Sequence, residues 1–335
     1  MSFSPHKPPK KDSFPIEDRT QPINKLPNLI THADWGSTPN RRVLAKAWLQ
    51  DDGSYLAEEP LIVVDNPGEL LQVLRSEAGS EGKILAGFDF PIGLPASYAE
   101  NVGISDYLKV LPEFGFGRWQ EFYNLAEVPD QVNPYRPFYP HAPGGAAHAH
   151  LVNGLGVNDF NDLRRRCEQG GNGMHPATPL FWTLGPGQVG AGAIIGWRDM
   201  LAPALRSGEV DLKIWPFQGK LAKLIASGRI VVTETYPSEF RHHLGINNGN
   251  NQENRIAASN SILGLASSLE LMVPGGLQNH IQNGFGNGQN ARDQYDAFVG
   301  LIGMLNVLRG NRPEGVPTDD TVFKIEGWIL GKLEG

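Results

Sequence analysis

The sequence predicts an α/β protein built on a mixed sheet, three antiparallel strands followed by parallel ones, flanked by helices and broken by a large insertion of helices and loops. Three observations carry this. Strand-length apolar runs separated by turn residues open the folded part of the chain. A well-capped helix then leads into another buried strand, the spacing a parallel crossover needs. A long interval rich in Pro, Gly and His precedes the next β-branched run. At 335 residues and 40% hydrophobic content the chain can bury a substantial core.

Residues 1–27, with Pro and Lys every few positions, read as a flexible N-terminal tail. LITHADWG (29–36) is a β-prone run, and RRVLAKAWL (41–49) follows the turn residues STPN as its hairpin partner. After DDGS, the segment LAEEPLIVVD (56–65) supplies a third antiparallel strand. Asn66 then suits a helix N-cap, Pro67 the first helical position and Glu69 a capping box, while Leu70, Leu71 and Leu74 make one apolar face. GKILAGFDFPIGLP returns as a buried strand ending near Asp89, completing a first part at 28–95.

Residues 96–225 are too long for a simple connection and read as an inserted subdomain, with helices expected at about 188–206 and 217–226. The second part, 226–335, begins with GRIVVTETYP, a β-branched run stopping at Glu234. A short helix from Pro237, a helical pattern over 252–272 and a Gly- and Asn-rich linker over 274–290 follow. In ARDQYDAFVGLIGMLNVLRG, Phe298, Leu301, Ile302 and Leu305 recur at helical spacing, and Gly310 and Pro313 mark the stop. Ala297 and Gly300 leave room for close packing of this helix on a sheet.

Three antiparallel strands, a helix and a parallel returning strand correspond to the opening of an RNase H-like sheet. A right-handed crossover aligns parallel neighbours, so Asp34 and Asp89, at the C-terminal ends of their strands, are expected side by side. Glu234 ends a third strand, and Asp293 and Asp296 share one face in the first turn of the last long helix. Two carboxylates about 5 Å apart at an effective dielectric of about 20 repel by roughly 3 kcal/mol, so such a cluster implies metal or proton uptake. Hard cations such as Mg2+ or Mn2+ prefer oxygen ligands, and paired ions serve phosphoryl chemistry.

HADWGS, GFDFPIGLP, ETYPSEF and DQYDAFVG, in this order, resemble the domain-of-unknown-function family 429, described as predicted nucleases of RNase H-like fold. FWTLGPGQVGAGAIIGWRDML and EGWIL extend the resemblance over most of the chain. It implies Asp34, Asp89, Glu234 and Asp296 as the acidic set, and a nucleic-acid substrate. The expectation is therefore a divalent-metal-dependent nuclease, with Asp293 as a further ligand or merely a helix cap. A Mg2+-nucleotide-dependent phosphotransferase of the sugar-kinase and actin-like superfamily, or a non-catalytic binding protein, are the alternatives.

The net charge of −7 weighs against a uniformly nucleic-acid-binding surface, though a local basic groove can coexist with it. One cysteine, Cys167, and no signal-peptide or membrane-spanning run point to the cytoplasm. The remaining features have ordinary readings: His141, His148 and His150 a loop, Arg164, Arg165 and Arg166 a solvated helix face. The glycines of LGPGQVGAG read as helix capping, and Trp35, Trp119, Tyr135 and Trp182 as core or interface residues. A salt bridge from Glu234 to Arg241 is the structural alternative to a role for Glu234 in the site.

Overall fold

A computed structural model describes residues 25–59, 61–171, 173–185 and 189–334. The eight strands are β1 (Leu29–Trp35), β2 (Arg42–Leu49), β3 (Tyr55–Ala57), β4 (Ile62–Val63), β5 (Ile84–Phe88), β6 (Leu212–Ile214), β7 (Ile230–Glu234) and β8 (Leu271–Met272). They form one mixed sheet in the order β6-β7-β5-β1-β2-β3-β8, with β4 also paired to β2. β2 alone runs against the others, being antiparallel to β1, β3 and β4, while the remaining pairings are parallel.

The expected third antiparallel strand is split in two. Register shifts by two residues between the Ala47↔Ala57 and Val43↔Val63 pairings, so the chain leaves β2 after β3 and rejoins it as β4. The segment expected as an insertion is not separate from the sheet, because β6 extends it beside β7. Of the expected tail, residues 1–24 lie outside the described residues.

The helices are α1 (Pro67–Ala78), α2 (Ala96–Val102), α3 (Tyr107–Val110), α4 (His148–Leu155), α5 (Gly190–Ile195), α6 (Ala202–Ser207), α7 (Leu221–Ser227), α8 (Pro237–Leu244), α9 (Gln252–Ser268), α10 (Gly275–Gln282) and α11 (Ala291–Leu308). Asn66 caps α1 through Gly68 N–H, as the sequence predicts. α5 and α6 are one rod joined by a π-helical stretch, Gly196–Leu201. Pro203 has no N–H for the Asp199 carbonyl, and the Ala202 N–H bonds instead to the Trp197 carbonyl. The linker expected at 274–290 contains α10, and the helix expected to 272 stops at Ser268 to release β8.

Alternation divides β1, β2, β5 and β7 between two cores. Leu29, Ala33, Ile84, Phe88, Ile230 and Val232 face one, with α1 and the rod. Ile30, Val43, Ala45, Leu85 and Val231 face the other, with α9 and α11. On the second face α11 lies hard against the sheet: a Cβ at Gly300 would stand 2.1 Å from the His32 ring, and one at Gly303 2.1 Å from Phe240. No helix among the described residues is long and apolar enough to cross a membrane.

Candidate functional site

The site forms where β1 and β5 end. Ala33 is the register partner of Phe88, so the next residues, Asp34 still within β1 and Asp89 just past the end of β5, are neighbours. The Trp35 N–H donates to Asp89 Oδ1 at 2.7 Å, fixing one carboxylate against the β1 backbone.

His32, two residues before Asp34 and therefore on the same face, fixes where α11 lies. Its Nδ1 is 3.0 Å from the Ala297 carbonyl and its Nε2 2.8 Å from Thr235 Oγ1. Burial, outweighing the Ala297 bond, pushes the ring down to about 3, so it acts as a neutral pin. The pinned helix brings Arg292, Asp293 and Asp296, all in its first two turns, to the ends of β1 and β5.

These residues, with Gly36, Ser37 and Arg41 of the β1–β2 turn, Tyr236, Pro237, Ser238 and Arg241 at the start of α8, and Ala177, Thr178, Val189 and Gly192, line a cleft of ≈ 330 Å³. It contains four carboxylates and three guanidiniums. Arg41 Nη2 donates to Asp293 Oδ1 at 2.9 Å, while its Nε lies 2.8 Å from Oδ2. Arg241 pairs with Asp296 and donates to Ser238 Oγ, and Arg292 Nε is 3.5 Å from Asp296 Oδ2.

All four aspartates hold their protons more tightly than ordinary carboxylates. Burial lifts Asp34 well above the usual range, reinforced by the charge of Asp89 and a hydrogen bond to it. Asp89 is pushed up to about 6 by burial, against the opposing bonds from Asp34 and the Trp35 amide. Asp293 and Asp296 are also raised, burial outweighing Arg41 and Arg241 respectively. Asp34 and Asp89 thus favour keeping a proton between them, because burial and their mutual repulsion both oppose two bare carboxylates there.

Glu234 does not join this cluster. It ends its strand at the same edge, but its register partner is Phe88, which places it on the opposite face from Asp34. There Arg165 holds it through two bonds, Nη1 to Oε2 at 2.7 Å and Nη2 to Oε1 at 2.6 Å, and the Ile92 N–H donates to Oε2 at 2.7 Å. The arginine expected on a solvated helix is fully buried, follows a non-helical residue and also pairs with Glu168 at 2.8 Å. Arg241, the expected structural partner of Glu234, instead serves Asp296.

Asp293 is not the helix cap; Asn290 occupies that position and Asp293 answers Arg41. The histidine-rich loop is partly helical: His148 starts α4 and stacks on Phe160, and His150 Nδ1 is 2.9 Å from the Tyr139 hydroxyl. Trp35 lines the cleft, whereas Trp119 is buried in the first core. Pro186, Gly187 and Gln188 of LGPGQVGAG lie outside the described residues. Sequence reading missed Arg41 and Arg292 as parts of the site; Arg292 stands beside Asp293, but Arg41 carries no local signal.

Asp34, Asp89, Asp293 and Asp296 offer carboxylate oxygen to the cleft, the chemistry that hard divalent cations select. Asp34 and Asp89 fit such an ion, since a cation would take the place of their shared proton. Asp293 and Asp296 are engaged by arginines, and among the described residues no group of three or more His, Cys, Asp or Glu side chains is arranged to hold a metal. No family model, curated protein or solved structure matches the chain.

Proposed function

We propose that this protein is a divalent-metal-dependent nuclease on an RNase H-like sheet, hydrolysing phosphodiester bonds at the cleft of Asp34, Asp89, Asp293 and Asp296. The observation that carries the reading is the meeting of four aspartates from β1, the end of β5 and α11 in one cleft also lined by three arginines. The sheet supports it, with β2 alone reversed and β5 and β7 continuing parallel to β1.

Asp34 and Asp89 would hold Mg2+ or Mn2+, with Asp296 and Asp293 beside them. When bound, such a cation activates water and neutralises charge developing on phosphate. Arg41 and Arg292, both at the exposed side of the cleft, orient the phosphate by charge-assisted hydrogen bonds. Asp34 and Asp89 would give up the proton between them to take such a cation. The Trp35 amide keeps Asp89 in place throughout. Glu234 acts from the far face as a positioning residue, holding the Asp89–Ile92 turn through the Ile92 N–H.

The test is cleavage of DNA, RNA, hybrid and branched substrates with and without Mg2+ or Mn2+. Asp34→Asn and Asp89→Asn should each lower the metal-dependent rate by about 100-fold or more. Activity that survives both substitutions, or none on any substrate, overturns the proposal.

A further inference from the structure

The cleft has a definite size, a definite charge and a basic group at its mouth. Together these limit what enters. At ≈ 330 Å³ it lies at the small end of the range of about 300–1,000 Å³ typical of small-molecule sites, room for one nucleotide-sized group. Its walls come from the β1–β2 turn, the end of β5, the start of α8, the start of α11 and the residues Ala177, Thr178, Val189 and Gly192. A cleft of that volume matches the sugar and phosphate of one strand, whereas a duplex would have to bring its complementary strand in as well.

Charge gives the same count. Four aspartates and three arginines line the cleft, and a divalent cation in place of the proton between Asp34 and Asp89 would leave a single positive charge. A lone phosphodiester matches it.

Arg41 is built to meet that phosphate. Its side chain is 42% exposed while its partner Asp293 is 5% exposed, so the guanidinium spans from mouth to interior. The turn carrying it is fixed: the Gly36 N–H donates to the Arg41 carbonyl at 2.8 Å, and a Cβ at Gly36 would stand 2.5 Å from the Arg41 Cβ. The Arg41 fork now rests on a carboxylate, and a phosphate presents the same planar pair of acceptor oxygens to it.

We propose that the cleft takes single-stranded nucleic acid, one phosphodiester at a time, and that Arg41 is the phosphate anchor that exchanges Asp293 for the substrate. This rests on the nuclease reading above and names its substrate class. Fluorescence anisotropy would compare labelled single-stranded and blunt-duplex oligonucleotides of one sequence, with Ca2+ in place of Mg2+ to hold the bound state, for the full chain and for Arg41→Ala and Arg41→Lys.

The expected result is single-strand binding at least tenfold tighter than duplex. Arg41→Ala should weaken it by roughly 10- to 100-fold and Arg41→Lys by less, since a point charge replaces the fork. The dependence of log K on log salt should become shallower by about 0.7 in Arg41→Ala, one phosphate contact on a single strand. Duplex binding equal to or tighter than single-strand binding overturns the inference, as does an unchanged affinity in Arg41→Ala whose melting curve matches the parent. Metal-dependent duplex cleavage lost in Asp34→Asn would leave the nuclease reading standing while sinking this one. Absence of binding to either oligonucleotide, with no metal-dependent cleavage, overturns both.

Discussion

Asp89 shows how a buried carboxylate is accommodated. It accepts the Trp35 N–H and shares a proton with Asp34, and burial still pushes it up to about 6. Because its folded value lies above the ordinary 3.8, its contribution to stability is fully present below about 4 and lost as pH rises through about 6. Asp89→Asn keeps an acceptor for Trp35 and removes the titration. Relative to the parent, this variant should therefore gain in thermal stability between pH 5 and pH 8, both measured with chelator; a difference that does not change with pH contradicts the assignment. Glu234 and Arg165 make the opposite case, a buried pair whose ions compensate one another. Arg165→Met leaves Glu234 and Glu168 without their cation and should cost about 3–5 kcal/mol in denaturant unfolding. A loss below about 1 kcal/mol would mean that the network is not what keeps these acids inside.

Among the elements, α11 decides whether there is a site at all. Its sequence carries small residues where it crosses the sheet, so the His32 ring can seat against Gly300 and bond to the Ala297 carbonyl. Gly300→Ala adds a methyl where no space exists, and the overpacked helix should lose about 1–3 kcal/mol of stability. If α11 shifts to accommodate it, Asp293 and Asp296 move with it. Metal-dependent activity should then fall more than the folded fraction does, a comparison that circular dichroism and rate measurements on the same sample would make. The turn between β1 and β2 has a comparable role at smaller scale, since Gly36 lets the Arg41 backbone fold back on β1.

At the scale of the whole molecule, the net charge of −7 and the three arginines of the cleft are compatible because the sheet edge gathers charges that are dispersed along the chain. If Asp34 and Asp89 hold the cation as proposed, cation and protons would compete for them, since both carboxyls are raised. Mn2+ affinity by calorimetry should accordingly rise from pH 5.5 to pH 8 with release of protons, and Asp89→Asn should flatten that rise. Equal affinity at both pH values would place the ion elsewhere. The thermal stabilisation given by Mn2+ should follow the same course, being largest at pH 8, where the unmetallated pair is most strained.

The sequence by itself determined the order of the main strands, the capped helix after the third, the long α11 pattern and the positions of Asp34, Asp89, Asp293 and Asp296, because periodicity, turn chemistry and strand ends are local properties. It also placed Glu234 at the correct edge. Only the tertiary structure decided its face, since alternation along β7 matters only once the register with β5 is known, and that register pairs Glu234 with Phe88. The short strands β6 and β8 and the break between β3 and β4 likewise depend on partners distant in the chain. So do the arginines: Arg41 is 252 positions from Asp293, Arg241 55 from Asp296 and Arg165 69 from Glu234, pairings that only the folded chain can make.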